Sequence, residues 1–89
     1  MATIDVKAQD ENTFRVTVHA GSTTMHTVTL TDADHKRLVG IAADKETLVK
    51  KSFEFLLARE SNTSILRSFD LTVISRYFPE YEATIRQTL

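Results

Sequence analysis

The chain predicts an α+β domain: a three-stranded antiparallel β-meander followed by three to four helices packed on one sheet face. Two observations predict it. Ile4, Val6, Ala8 and then Phe14, Val16, Val18, Ala20 alternate, whereas Leu48, Val49, Ser52, Phe53, Leu56 and Leu57 recur at helical spacing. Strands come first and helices after, so a single domain divides into a meander over 3–30 and a helical part over 31–89.

The strands follow from register. Pairing Ala8 with Phe14 sets Val6 against Val16 and Ile4 against Val18, leaving Asp10-Glu11-Asn12 as a loop in which Asn12 can take a left-handed conformation. For the second hairpin, a two-residue Gly21-Ser22 turn would put the apolar sets on opposite faces. An odd loop, Gly21-Ser22-Thr23, instead pairs Val16 with Val28, Phe14 with Leu30 and Val18 with His26. The inner face is then Ile4, Val6, Ala8, Phe14, Val16, Val18, Val28 and Leu30. The outer face is polar: Thr3, Asp5, Lys7, Gln9, Arg15, Thr17, His19, Met25, Thr27 and Thr29.

The helices begin with readable caps. Thr31 with Asp34 three residues on has the form of a capping box, and Asp32 and Asp34 suit the positive end of a helix dipole. This helix is expected to run to about Val39, with Gly40 as its stop, after which Asp44 caps a second helix reaching about Glu60. On a wheel its apolar residues, Phe55 included, cover roughly 200°, wider than the stripe of about 100° a surface helix needs, so it should touch two neighbours. Ser61 to Ser64 reads as a connector, Ile65 to Phe69 as a short turn of helix, and Asp70 as an N-cap before Leu71 to Tyr77. Pro79 breaks that helix and opens a last one in which Tyr81, Ile85 and Leu89 face inward.

Composition narrows the function classes. A chain of 89 residues buries only roughly 60 to 65% of the surface its unfolded form exposes, which makes self-association a natural source of added stability. There is no Cys for a disulfide or thiolate metal site, and the net charge of −1 gives no global pull toward nucleic acid or anionic membrane. No apolar run approaches the roughly 20 residues of a bilayer span, and Met1-Ala2-Thr3 lacks the features of a signal peptide, so a complete, soluble cytoplasmic protein is expected.

Catalytic and metal signatures are not met. His19, His26 and His35 are expected on the outer sheet face, the inner sheet face and the first helix, a spread that does not converge on a metal. Asp32-Ala33-Asp34 begins like a calcium loop, but Ala43 stands at the twelfth position. Only Gly21 and Gly40 are available for a phosphate loop, and no GxSxG elbow occurs. Neither an enzyme nor a cofactor is expected. Thr72 to Tyr77 has a superficial echo of a recognition helix, but Arg67 stands where its turn commonly carries Gly.

Val28-Thr29-Leu30-Thr31-Asp32-Ala33-Asp34-His35-Lys36-Arg37-Leu38, followed by Asp44 to Leu57, resembles the strand-helix-helix unit of ribbon-helix-helix repressors, over about residues 26–57. In that family two protomers pair their strands, and the outward strand residues enter the major groove. The resemblance implies a DNA-binding regulator in which Thr27 and Thr29, with Met25, meet base edges, and Lys7 and Arg15 on the same outer face meet phosphate. It requires strand three to keep a free edge for a partner chain. The chain departs from the family in a shorter inter-helix connection, in Asp44 and Glu46 where a phosphate would sit, and in two additional leading strands.

The reading favoured here is a small, non-catalytic protein-interaction or regulatory module. Its partner is expected to be another protein or a second copy of the chain, as a homodimer, with nucleic acid the competing partner and no membrane or small-molecule ligand. Phe55, Tyr77, Phe78 and Tyr81, clustered around Pro79, are the candidate interface anchors.

Overall fold

Alternation in the first thirty residues builds three antiparallel strands, β1 (Thr3–Ala8), β2 (Thr13–His19) and β3 (Thr23–Thr29). The computed structural model describes residues 2–88. The α+β expectation agrees, but the sheet is mixed and four-stranded. A short β4 (Ser68–Asp70) lies parallel to β3, giving the order β1-β2-β3-β4.

The first hairpin has the expected register, Ala8 opposite Phe14 and Val6 opposite Val16. Its loop is held by Asp10, whose Oδ1 accepts the N–H groups of Asn12 at 2.9 Å and Thr13 at 2.8 Å, so Asn12 needs no left-handed conformation; no described residue other than Gly40 has positive φ. The second hairpin is displaced by two residues. Phe14 faces Val28, Val16 faces His26 and Val18 faces Thr24, and Ala20, Gly21 and Ser22 make the turn. An even shift keeps every side chain on its face, so the core set is preserved. Leu30 falls just beyond the paired part, its N–H donating to the Asn12 carbonyl, and Ala8 is exposed.

Helix α1 (Asp32–Leu38) starts at Thr31, whose hydroxyl accepts from the Asp34 N–H. Gly40 at φ 58° turns the chain out of it into a single 3-10 turn, Gly40–Ala42. Asp44 then caps α2 (Lys45–Leu57) by accepting from the Thr47 N–H at 2.7 Å. The helix ends short of Glu60, where the Arg59 N–H leaves the α pattern and donates three residues back to the Leu56 carbonyl. Leu48, Val49, Ser52, Phe53, Phe55 and Leu56 are all buried. The wide arc has its two neighbours: α2 lies across β1 and β2 and carries α4 (Tyr81–Thr88) on its other flank.

Residues Ile65 to Phe69 are extended rather than helical. The Thr27 N–H donates to the Arg67 carbonyl at 2.7 Å and the Leu71 N–H to the Thr29 carbonyl at 2.9 Å, which adds β4 to the sheet. Buried side chains hold it there. His26 Nδ1 donates to the Leu66 carbonyl at 2.7 Å, leaving Nε2 to accept from Thr24 Oγ1 at 2.8 Å, while the Asn62 amide donates to that hydroxyl and to the Ser22 carbonyl. Asp70 shapes the next turn of chain by accepting from the Thr72 N–H and hydroxyl; regular helix begins only after it, as α3 (Val73–Tyr77). Leu89, expected to face inward with Tyr81 and Ile85, lies outside the described residues. No helix among them is long and apolar enough to cross a membrane.

Candidate protein-interaction site

Four segments meet at the β4 end of the sheet and leave an apolar cleft of about 370 Å³. Its walls are Leu56 from the end of α2 and Glu60 just beyond it, Ile65 and Leu66 from the connector, Phe69 from β4, and Val73, Ile74, Tyr77 and Phe78 from α3 and its exit. Leu66 is 49% exposed and Tyr77 is 67% exposed, which is unusual for large side chains so close to the core. Among the lining residues Glu60 carries the only formal charge, and no ion pair among the described residues uses it.

β4 forms one edge of the sheet. Arg67 and Leu71 direct their bonded main-chain groups at β3, so by alternation the N–H and C=O groups of Ser68 and Asp70 point away from it. Among the described residues no turn, loop or side chain bonds to them. The cleft therefore adjoins an unpaired main-chain edge. Burial pushes the Asp70 carboxyl up, but hydrogen bonds from Thr72 and Thr29 outweigh it and hold its pKa below the ordinary value, keeping a fixed anion beside that edge.

The four anchors expected around Pro79 separate. Tyr77 and Phe78 line the cleft, whereas Phe55 is 6% exposed and Tyr81 fully buried, which corrects the expectation that these two lie at an interface. Phe55 is enclosed edge-on by Phe78 at 5.7 Å and Tyr81 at 5.2 Å and capped by the Arg59 guanidinium 3.6 Å above its ring. Arg59 is itself drawn across by Glu80. The cluster is thus core on one side and cleft on the other. Leu66 escapes a sequence reading because it matters only once β4 is in place.

On the outer face Lys7 stands directly opposite Arg15, and Arg15 opposite Thr27, in one cross-strand row that continues to Ser68. Met25 is exposed and Thr27 and Thr29 are half-buried. The expected free edge of β3 is occupied: β4 takes it over Thr27 to Thr29, and Asp70 accepts from the Thr29 hydroxyl at 3.1 Å. Over Thr27–Thr29 the edge is therefore not free for a partner strand, as the repressor resemblance expects it to be. The histidines stay apart, with His19 beside Asp5 at 3.3 Å, His26 in the core and His35 Nε2 against the Ala43 carbonyl.

Neither a scan against protein-family models nor searches of curated proteins and of solved structures found a match to this chain.

Proposed function

We propose that this chain is a non-catalytic protein-interaction module that takes an extended peptide segment of a partner protein along the open edge of β4. The observation that carries it is the junction of two features: an unpaired main-chain edge at Ser68 and Asp70, and an apolar cleft holding exposed Leu66 and Tyr77. Main-chain bonds to a sheet edge give affinity, and a pocket for alternate side chains gives specificity. An added strand would turn alternate residues toward the cleft wall formed by Phe69, Val73 and Tyr77. Glu60 in that wall and Asp70 at the edge favour a segment with apolar residues at alternate positions and a Lys or Arg among its neighbours.

The reading is tested by selecting from a displayed random-peptide library with the folded protein and mapping the enriched peptide by amide shifts. It expects enriched sequences of that pattern, shifts centred on Leu66, Ser68, Asp70 and Tyr77, and loss of enrichment with Leu66→Asp. Equal enrichment with Leu66→Asp overturns it. So does a response to duplex DNA on Lys7, Arg15 and Thr27 with none to peptide, which would return the outer face to the nucleic-acid reading.

A further inference from the structure

The opposite edge of the sheet is built differently. β1 pairs only with β2, and over Thr3–Ala8 it has no proline to blunt it. The Gln9 N–H donates to the Thr13 carbonyl, which places Gln9, Lys7 and Asp5 on the side bonded to β2. By alternation the main-chain groups of Ile4, Val6 and Ala8 face outward. The side chains of Ile4 and Val6 are only half-buried, along an open groove of about 310 Å³ between β1 and the Glu46, Thr47 and Lys50 side of α2.

We infer that this edge binds the β1 edge of a second copy of the chain, antiparallel about a two-fold axis through Val6. Two things select that partner and that register, and a third supplies its main-chain bonds. First, face matching excludes every pairing that sets an odd residue against an even one, since it would put Ile4 and Val6 opposite Asp5 or Lys7. Second, among the remaining pairings charge discriminates. Centring on Asp5 sets carboxylate against carboxylate, and centring on Lys7 sets ammonium against ammonium. Centring on Val6 sets Asp5 of each copy opposite Lys7 of the other. Third, that register aligns Val6 with its own mate and Ile4 with Ala8, all residues whose main-chain groups face outward, so each aligned pair exchanges two hydrogen bonds.

The same pairing resolves an unfavourable feature of the isolated protomer. Lys7 and Arg15 are like charges directly opposite one another, an arrangement that destabilises a sheet, and no ion pair among the described residues neutralises either. The partner's Asp5 stands on the other side of Lys7 and supplies the missing anion. The eight-stranded sheet that results leaves a β4 edge at each end, free for the proposed peptide.

Sedimentation equilibrium across a wide concentration range tests this. The protein is expected to reach twice its 10.1 kDa protomer mass. Lys7→Asp or Asp5→Lys alone should weaken the dimer roughly tenfold or more, and the double swap should restore it. Val6→Pro serves as a main-chain control: its N–H faces outward, so proline leaves the bonds to β2 intact while removing those at the two-fold axis. Circular dichroism should show it folded and sedimentation should show it monomeric. A single-protomer mass at millimolar concentration overturns the proposal. So does a dimer indifferent to Lys7→Asp, one that the double swap fails to restore, or a folded Val6→Pro that still dimerises. Peptide selection at β4 reads out the other edge and is unaffected by these results.

Discussion

The Tyr81 hydroxyl and Ser52 Oγ lie 2.5 Å apart in the core, joining the first residue of α4 to the middle of α2. Ser52 already donates to the Leu48 carbonyl at 2.7 Å, so Tyr81 is the donor of the shared bond. Burial, with Glu82 nearby, pushes the Tyr81 phenol up to about 12, against the lowering effect of Ser52 and Arg37. A pKa higher in the folded chain means the native state holds its proton longer than the unfolded state does. The stability is complete below pH 10 and is lost as pH rises toward 12, on the order of 2 to 3 kcal/mol in all. Denaturant titrations in that window should show the decline in the native protein and a smaller one in Tyr81→Phe. At neutral pH Tyr81→Phe should cost about 1 kcal/mol.

His26 connects β3 to the connector through its Nδ1 bond to the Leu66 carbonyl, is held within β3 by the Thr24 hydroxyl, and packs its ring 5.3 Å from Phe53. His26→Ala leaves the Leu66 carbonyl without its donor and opens a void beside Phe53. A loss of about 2 to 4 kcal/mol is expected by chemical denaturation. Hydrogen exchange should rise first at the amides bridging β3 and β4, those of Thr27 and Leu71.

Gly40→Ala isolates a backbone cost. At φ 58° a side chain is strained, yet an added Cβ would meet nothing within 4 Å. The expected loss is about 1 kcal/mol in thermal or chemical unfolding, with no change in peptide binding. A loss several times larger would mean that this turn carries packing not visible around its Cβ.

Phe55 and Tyr77 should separate stability from binding. Phe55→Ala removes a ring enclosed by Phe78, Tyr81 and Arg59 and should cost about 3 to 5 kcal/mol. Tyr77→Ala, at a side chain 67% exposed, should change stability by about 0.5 kcal/mol or less while weakening the selected peptide. Equal stability losses would place Tyr77 among the core residues instead.

Particular residues explain how far sequence carries this account. The β1–β2 register is legible because Ile4, Val6, Phe14, Val16 and Val18 share one face and Asp10 marks the turn. The β2–β3 register is legible only to within two residues. Loops centred on Gly21 or Ser22 both keep Val28 inward, and the turn adopted, centred on Gly21, is held by the Asn62 amide donating to the Ser22 carbonyl, a contact forty residues away. β4 is beyond local patterning for a similar reason: Ser68-Phe69-Asp70 has one apolar residue, and its strand character comes from bonds to Thr27 and Thr29. That one strand also decides the site. It closes the β3 edge, opens another at Ser68 and Asp70, and turns half of the aromatic cluster into a cleft wall; the other half, Phe55 and Tyr81, is drawn into the core because α2 is covered on two flanks.

The most direct test of the peptide-edge claim is the affinity of the selected peptide for Ser68→Pro, measured by calorimetry. The Ser68 N–H points away from β3, so proline there spares the existing ladder and blocks only an incoming strand. The account predicts a folded protein with peptide affinity reduced at least tenfold, a change of about 1.4 kcal/mol. Undiminished affinity in a folded Ser68→Pro protein would contradict it, because the peptide would then be held without the β4 edge.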